Sequence, residues 1–238
     1  MSANSLGLKP LRMSSLYYKQ FPLAKKIITD EQGWLRVESF TEPDIERKQA
    51  ESSVALSDLS HIHKVSIKGT NTPDFIKQKL HTDEIPQAQM AQECNVLDNS
   101  YTLCCSLTPD EALLLSASDP LGVLKTEDTG NCVHTTDVTS FFAGVYLLGP
   151  QSREVVSKLT ELDIRPKSFG NLSVQFIETF HVQGILLRMD LNGIPGYGVF
   201  FDRGFGEYLW DRIMYAGREF GLTLIGRTTL INLGWRWG

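Results

Sequence analysis

The sequence is short of the features that would narrow its chemistry quickly. It has four cysteines, Cys94, Cys104, Cys105 and Cys132, and no C-x-x-C pair, which excludes the common zinc-knuckle and dithiol redox spacings. No apolar run reaches the ~18–20 residues of a membrane helix. The opening stretch MSANSLGLKPLRMSSLYYK has no apolar h-region of a secretory signal. Charge of one sign is also missing: 23 basic residues face 28 acidic ones, a formal net charge of −5, which argues against a general polyanion binder. There is no Walker A loop, G-x-S-x-G, H-E-x-x-H or strand-associated G-x-G-x-x-G. The expectation is a soluble cytoplasmic protein with neither a nucleic acid nor a membrane as partner.

What is present is an ordinary globular composition of 238 residues, 42% apolar and 21% charged, with 19 Gly and 10 Pro. Such a chain can bury a core without disulfides or metal. Residues 1–45 are irregular and interrupted by Pro10, Pro22 and Pro43, and read as a lead-in that wraps the body. PDIERKQAE predicts a helix over 44–51. A unit follows in which Val65-Ser66-Ile67 alternates like a strand, Gly69 breaks it, and Thr72-Pro73 opens a helix through Leu80 with Phe75, Ile76 and Leu80 on one face. The same grammar returns 80 residues later: strand 145–148, Gly149, then a helix striped by Val155, Val156, Leu159 and Leu162. A weaker third copy ends in a helix carrying Leu209, Ile213, Ala216 and Phe220, with Gly221 at the C-terminal cap. That spacing is too wide for a solenoid.

Strand-like runs at 101–107, 112–116, 172–177 and 184–189 are separated by turn dipeptides, among them Asn192-Gly193 and Pro195-Gly196. The fold class is therefore α+β, antiparallel strands with helices on one face, in duplicated modules. A polar boundary at 126–137 divides it into residues 1–136 and 137–238.

Several residues carry chemistry on pattern alone, each with a plainer alternative. His61 and His63 form an H-x-H pair that on a strand points one way. It is a metal edge, a ligand contact or a solvated pair, and no third metal ligand is marked by spacing. Residues 193–198 either admit a ligand close to the backbone or make a tight hairpin. Asp98, in NVLDNSYTL, either orients a ligand or closes an Asx turn. Trp235-Arg236-Trp237 either stacks a planar ligand or docks as a chain segment. Cys104 and Cys105, if in a strand, face opposite sides as apolar fillers.

The order of motifs from 14 to 227 resembles the T-protein (aminomethyltransferase) superfamily of the glycine cleavage system. That superfamily includes folate-dependent demethylases and the gamma subunit of sarcosine oxidase. SSLYYKQ followed by GWLRVESF resembles its opening region. SSVALSDLSHIHKVSIKGTNTPDFIKQKLHTDEI resembles its D-x-S-H-x-G-K stretch, with His63 replacing the Gly. DVTSFFAGVYLLGPQSREVVSKL and GYGVFF…GLTLIGRTTL follow in the family's order. The resemblance implies a folate-binding fold around a central channel without the C-terminal barrel domain. It also implies tetrahydrofolate as cofactor and one-carbon transfer from a small methyl or methylene donor alongside a partner subunit or a second copy; no metal is expected, since spacing marks no third ligand. The alternative it implies is a non-catalytic gamma-like subunit. By the same carry-over Asp98 is the catalytic acid, and His61, Arg188, Tyr197 and Arg227 contact the cofactor. Two family glutamates are missing: Ile194 and Gly198 stand in their places.

Overall fold

The computed structural model describes residues 11–82, 84–97, 100–124 and 132–237. In chain order the elements are α1 (Tyr17–Gln20), β1 (Lys26–Thr29), β2 (Leu35–Ser39), α2 (Pro43–Ser52), β3 (Ala55–Asp58), β4 (His63–Lys68), α3 (Thr72–Leu80), β5 (Met90–Leu97), β6 (Ser100–Thr108), β7 (Glu111–Ser116) and α4 (Leu121–Leu124). They continue as β8 (His134–Asp137), β9 (Phe142–Leu148), α5 (Ser152–Val156), β10 (Val174–Thr179), β11 (Val182–Arg188), β12 (Gly196–Asp202), α6 (Gly206–Gly217), β13 (Thr223–Leu224) and α7 (Arg227–Asn232). Among the described residues no helix is long and apolar enough to cross a membrane.

The strands form a β1–β2 hairpin, a five-stranded sheet ordered β5-β6-β7-β4-β8, and a six-stranded sheet ordered β10-β11-β12-β9-β3-β13. All pairs between these strands are antiparallel except the short β13–β3 contact. The fold is α+β. Strand β3 lies within residues 1–136 yet pairs with β9 of the later residues, so the chain crosses from one sheet to the other between Asp58 and His63. The lead-in is more regular than its prolines predict, since residues 26–39 make a paired hairpin. The polar stretch expected to be a loop includes β8, which pairs with β4.

Two-residue alternation sorts the side chains into layers. Leu103, Cys105, Leu113, Leu115, Tyr146, Leu148, Leu187 and Phe200 pack between the two sheets. On the outer face of the six-stranded sheet, Val145, Leu147, Tyr197 and Val199 meet Val155 of α5 and Leu209 and Ile213 of α6. Across the other sheet, Val65, Ile67, Cys104 and Leu114 meet Phe75, Ile76 and Leu80 of α3. Cys104 and Cys105 thus do face opposite layers.

The repeated strand–Gly–helix grammar has one structural cause. Gly69 (φ 148°) and Gly149 (φ 134°) each occupy a left-handed conformation where a Cβ would fall 1.8 Å from the Cys132 carbonyl oxygen and 2.3 Å from that of Ser53. Three residues on, Thr72 and Ser152 each donate a hydroxyl to that glycine's carbonyl at 2.7 Å. The expected N-cap Thr72 is therefore the first helical residue, with Asn71 as the cap. Helix α5 is shorter than its stripe predicts, ending at Val156, although Leu159 still reaches the core.

Candidate functional site

The site grows out of the crossing between the sheets. Leu59 and Ile62 are drawn into the inter-sheet core, which leaves His61 facing outward between them. Asp58 accepts from the Ser60 backbone N–H at 2.8 Å and from the Gln20 side chain, closing the turn from below. Lys64, 0% exposed, donates from Nζ to the carbonyls of Ser60 (3.0 Å) and Ile62 (2.8 Å), so both peptide oxygens flanking His61 are held. Burial pushes the Lys64 ammonium down to about 7, against the pull of Asp58 and Asp137.

Two further elements converge on that turn. Strand β2 brings Arg36, and α7, which packs across β2, begins at Arg227. Arg36, His61 and Arg227 together line a small cavity of about 20 Å³, room for one or two waters. They also line an open recess of about 480 Å³ that continues past Asp30, Glu31, Ser100, Ser118, Arg236 and Trp237. The larger space falls in the size range of small-ligand sites.

The hydrogen-bonding capacity of these three side chains is largely unspent. The Arg36 guanidinium, 8% exposed, makes no hydrogen bond among the described residues, and its carboxylate neighbour Asp30 stands 3.9 Å away. Arg227 has its Nε buried without a partner, and its Nη1 lies 3.7 Å from Glu38. His61 Nε2 is also buried without a partner. Burial, followed by the positive charge of Arg227, lowers Arg36 to about 10. Burial and then the charges of Arg36 and Lys64 hold His61 well below the usual histidine range, so its imidazole is neutral at pH 7. A neutral ring between two arginines can donate to or accept from a ligand, and the arginines can grip an oxyanion in two-pronged fashion.

Of the residues singled out in the sequence, His61 and Arg227 are brought together here. Arg188 and Tyr197 are not. They face each other across β11 and β12 on the outer, helix-covered side of the six-stranded sheet. Arg188 is fully engaged there, with Asp190 at 3.0 Å through two nitrogens and the Phe169 carbonyl at 2.8 Å. Strand parity explains the separation: Tyr146 and Phe200 point inward, so their neighbours Leu147 and Val199, with Tyr197, point outward. Asp98 lies outside the described residues. His63 does not share a face with His61, because His61 precedes β4 in a turn. His63 lines a separate groove of about 720 Å³ with Arg12, Trp34 and Asp137. Residues 193–198 combine a turn at Asn192-Gly193 with the start of β12.

Trp235 and Trp237 are core residues. They stack on Tyr146 and Tyr101 with ring centroids 4.9 and 5.1 Å apart, and Trp237, 2% exposed, donates to the Tyr101 carbonyl. The space between the sheets is packed with side chains at this end, and the recess opens at its rim. Arg36 is not singled out by the sequence because it falls in the stretch 1–45 that reads as an irregular lead-in. Only the packing of α7 over β2 buries it. Among the described residues no group of three or more His, Cys, Asp or Glu side chains is placed to hold a metal ion.

Comparison with known proteins places this geometry. The model of the GCVT N-terminal domain matches residues 19–233. Sarcosine oxidase subunit alpha of Corynebacterium sp. (strain P-1) is 27% identical over 197 residues, covering 75% of this chain and 20% of that protein. The aminomethyltransferase of Herpetosiphon aurantiacus is 25% identical over 207 residues, covering 82% and 55%. The chain thus spans between a fifth and just over half the length of these curated relatives. The crystal structure of glycine cleavage system aminomethyltransferase T from Bartonella henselae superposes with a TM-score of 0.77 at 14% identity, over 92% of this chain and 61% of that one. The likeness in fold extends over nearly the whole chain, and the family match covers both sheets and the recess between β2, the His61 turn and α7: the chain belongs to the GCVT N-terminal domain family, with the aminomethyltransferase T fold.

Proposed function

We propose that the chain binds tetrahydrofolate in the recess beside His61 and Arg227 and takes part in transferring a one-carbon unit between the folate and a small methyl or methylene donor. The observation that supports this is the convergence, in a member of this family, of two residues that the motif resemblance points to on an open space of about 480 Å³ whose buried Arg227 Nε and His61 Nε2 have no partner. A reduced folate offers what the recess asks for: a flat heterocycle to lie against Trp237, and carboxylates for arginine. Bound there, tetrahydrofolate supplies the nitrogens that carry the one-carbon unit. Arg227 anchors an acidic part of the ligand, neutral His61 hydrogen-bonds it, and Asp98 is assigned the carboxylate that orients the reacting nitrogens. Arg188 and Tyr197 belong to the supporting sheet in this reading. The chain acts in the cytoplasm with a partner subunit; the likeness to the alpha subunit of a sarcosine oxidase supports the partner.

Calorimetric titration of tetrahydrofolate into the full chain tests the assignment. Binding is expected, with affinity ~10–100-fold weaker in Arg227→Ala, the loss of a hydrogen bond to a charged group. No heat at high ligand concentration ends the folate reading. A second reading, a non-catalytic subunit, is favoured by Ile194 and Gly198 at the glutamate positions. It expects the same binding with no one-carbon transfer in a turnover assay. Native pull-down with mass spectrometry reports partner and bound pterin together.

A further inference from the structure

Arg36 is the residue of the recess that neither pattern nor family resemblance brings forward. It holds a guanidinium in a nearly closed pocket, with its nearest carboxylate 3.9 Å away. Burying a charge without close pairing is costly, and Arg227 adds repulsion from across the cavity. The carboxylates in reach stand at ion-pair distance without hydrogen-bonding the arginines: Asp30 Oδ2 lies 3.9 Å from Arg36, and Glu38 Oε2, buried without a hydrogen bond, 3.7 Å from Arg227. Asp30 accepts from the backbone N–H groups of Gln32 and Trp34 at 2.9 Å, Asp58 from Ser60 and Gln20, and Glu38 from Thr228 at 2.7 Å. At the His61 ring the leading charged neighbours, Arg36, Lys64 and Arg227, are all positive. The Trp237 backbone carbonyl stands against the His61 ring as an acceptor, while the Arg36 guanidinium and the Arg227 Nε, brought by β2 and α7, face the same space without a hydrogen bond among the described residues.

We propose that Arg36, His61 and Arg227 form a subsite for a carboxylate group, with Arg36 as its principal grip. The proposal rests on the recess being the ligand site. Arg36 and Arg227 approach the carboxylate from two sides, and His61 turns its N–H toward it. The carboxylate has two sources, the glutamyl tail of a folate or a separate small amino acid that donates the carbon unit.

Four probes separate them: acetate, N-methylglycine, tetrahydropterin without a tail, and tetrahydrofolate. In the full chain, acetate is expected to move the His61 imidazole NMR signals and raise the pH at which they titrate, since an anion beside the ring favours its protonated form. Arg36→Met is expected to weaken every carboxylate probe that binds the wild type by ~10–100-fold and to leave tetrahydropterin unchanged. If the tail is the source, tetrahydrofolate binds more tightly than tetrahydropterin and Arg36→Met closes the gap. If a separate acid is the source, N-methylglycine binds alongside tetrahydrofolate and depends on Arg36. Arg36→Lys keeps the charge without the planar fork and is expected to lose affinity for the same probes, which covers a folding failure of Arg36→Met. Wild-type affinity for carboxylate probes in the Arg36 variants, or His61 signals that acetate leaves in place, overturns the proposal. If neither pterin binds while acetate binding still depends on Arg36, the folate reading fails and the subsite stands.

Discussion

Helix α7 serves two buried polar centres that lie side by side and are built on opposite terms. Below it, Glu46 of α2 is 0% exposed and every lone-pair direction is used. Its Oε1 accepts from the backbone N–H groups of Phe40 (2.6 Å) and Thr41 (2.9 Å), and its Oε2 from the Gly226 N–H (2.9 Å) and the Thr229 hydroxyl (2.5 Å). One carboxylate ties the end of β2, the start of α2 and the first turn of α7. Above it, Arg227, next in sequence to Gly226, joins Arg36 and His61 around a recess where donors are left over. Glu46 is fully buried and Arg36 nearly so, while His61 and Arg227 are half-buried at the rim: one centre is closed and the other open. A saturated buried ion holds the fold together. An unsaturated cluster beside an opening is stable only if its donors are used by something else, water or ligand. Residues 226 and 229 belong to the first kind and residue 227 to the second.

The largest effect should come from opening the closed centre. Glu46→Ala leaves three backbone N–H groups and a hydroxyl without their acceptor, and is expected to cost about 5 kcal/mol in urea unfolding. A cost under about 1 kcal/mol would show the clasp to be incidental. Trp237→Ala comes next, because the ring belongs to the core as well as to the wall of the recess. About 4 kcal/mol is expected from the cavity left behind, and tetrahydrofolate affinity should fall with it. Loss of affinity without loss of stability would move Trp237 from scaffold to ligand wall alone.

Lys64 sharpens the contrast, since it is a buried cation on the turn that presents His61. Its proton is held to about pH 7 in the folded chain, against 10.5 for an unperturbed lysine. Between those values the unfolded chain binds more protons, so stability rises with pH across that window and the contribution is lost as pH falls toward 7. Wild type should gain a few kcal/mol relative to Lys64→Met between pH 7 and 10, read from urea melts at each pH. A difference that stays constant with pH would mean that Lys64 keeps its proton when folded.

The modules were legible in the sequence, and the site only in part. Val65–Ile67 with Gly69 and residues 145–148 with Gly149 announce themselves because a single backbone need, a left-handed glycine against a neighbouring carbonyl, writes the same local pattern twice. Helix α6 shows through its apolar stripe, and Gly221 caps the turn that follows with φ 65°. The β1–β2 hairpin did not show, because Pro22 and Pro43 flank a stretch whose strands are paired mainly to each other. His61 and Arg227 were reachable through family motifs. Arg188 and Tyr197 were reached the same way but sit on the far face, since a motif fixes neighbours along the chain and not the side of the sheet they present. Arg36 and the saturation of Glu46 depend on α7 meeting segments about 190 and 180 residues earlier, a distance over which no local pattern carries.

The smallest expected change in stability is at Arg36, and it separates the two centres most cleanly. If the guanidinium were a structural ion like Glu46, replacing it would strand its partners and cost several kcal/mol. Its nearest partner is beyond hydrogen-bond distance, and Asp30 keeps its two backbone donors without it. Met fills a similar volume and removes both the desolvation cost and the repulsion from Arg227. Arg36→Met should therefore unfold within about 1 kcal/mol of wild type, and the His61 ring, relieved of one positive neighbour, should protonate at higher pH in an NMR titration. A loss of 3 kcal/mol or more, on the scale of breaking a buried pair, would make Arg36 part of the clasp and leave the recess without its principal grip.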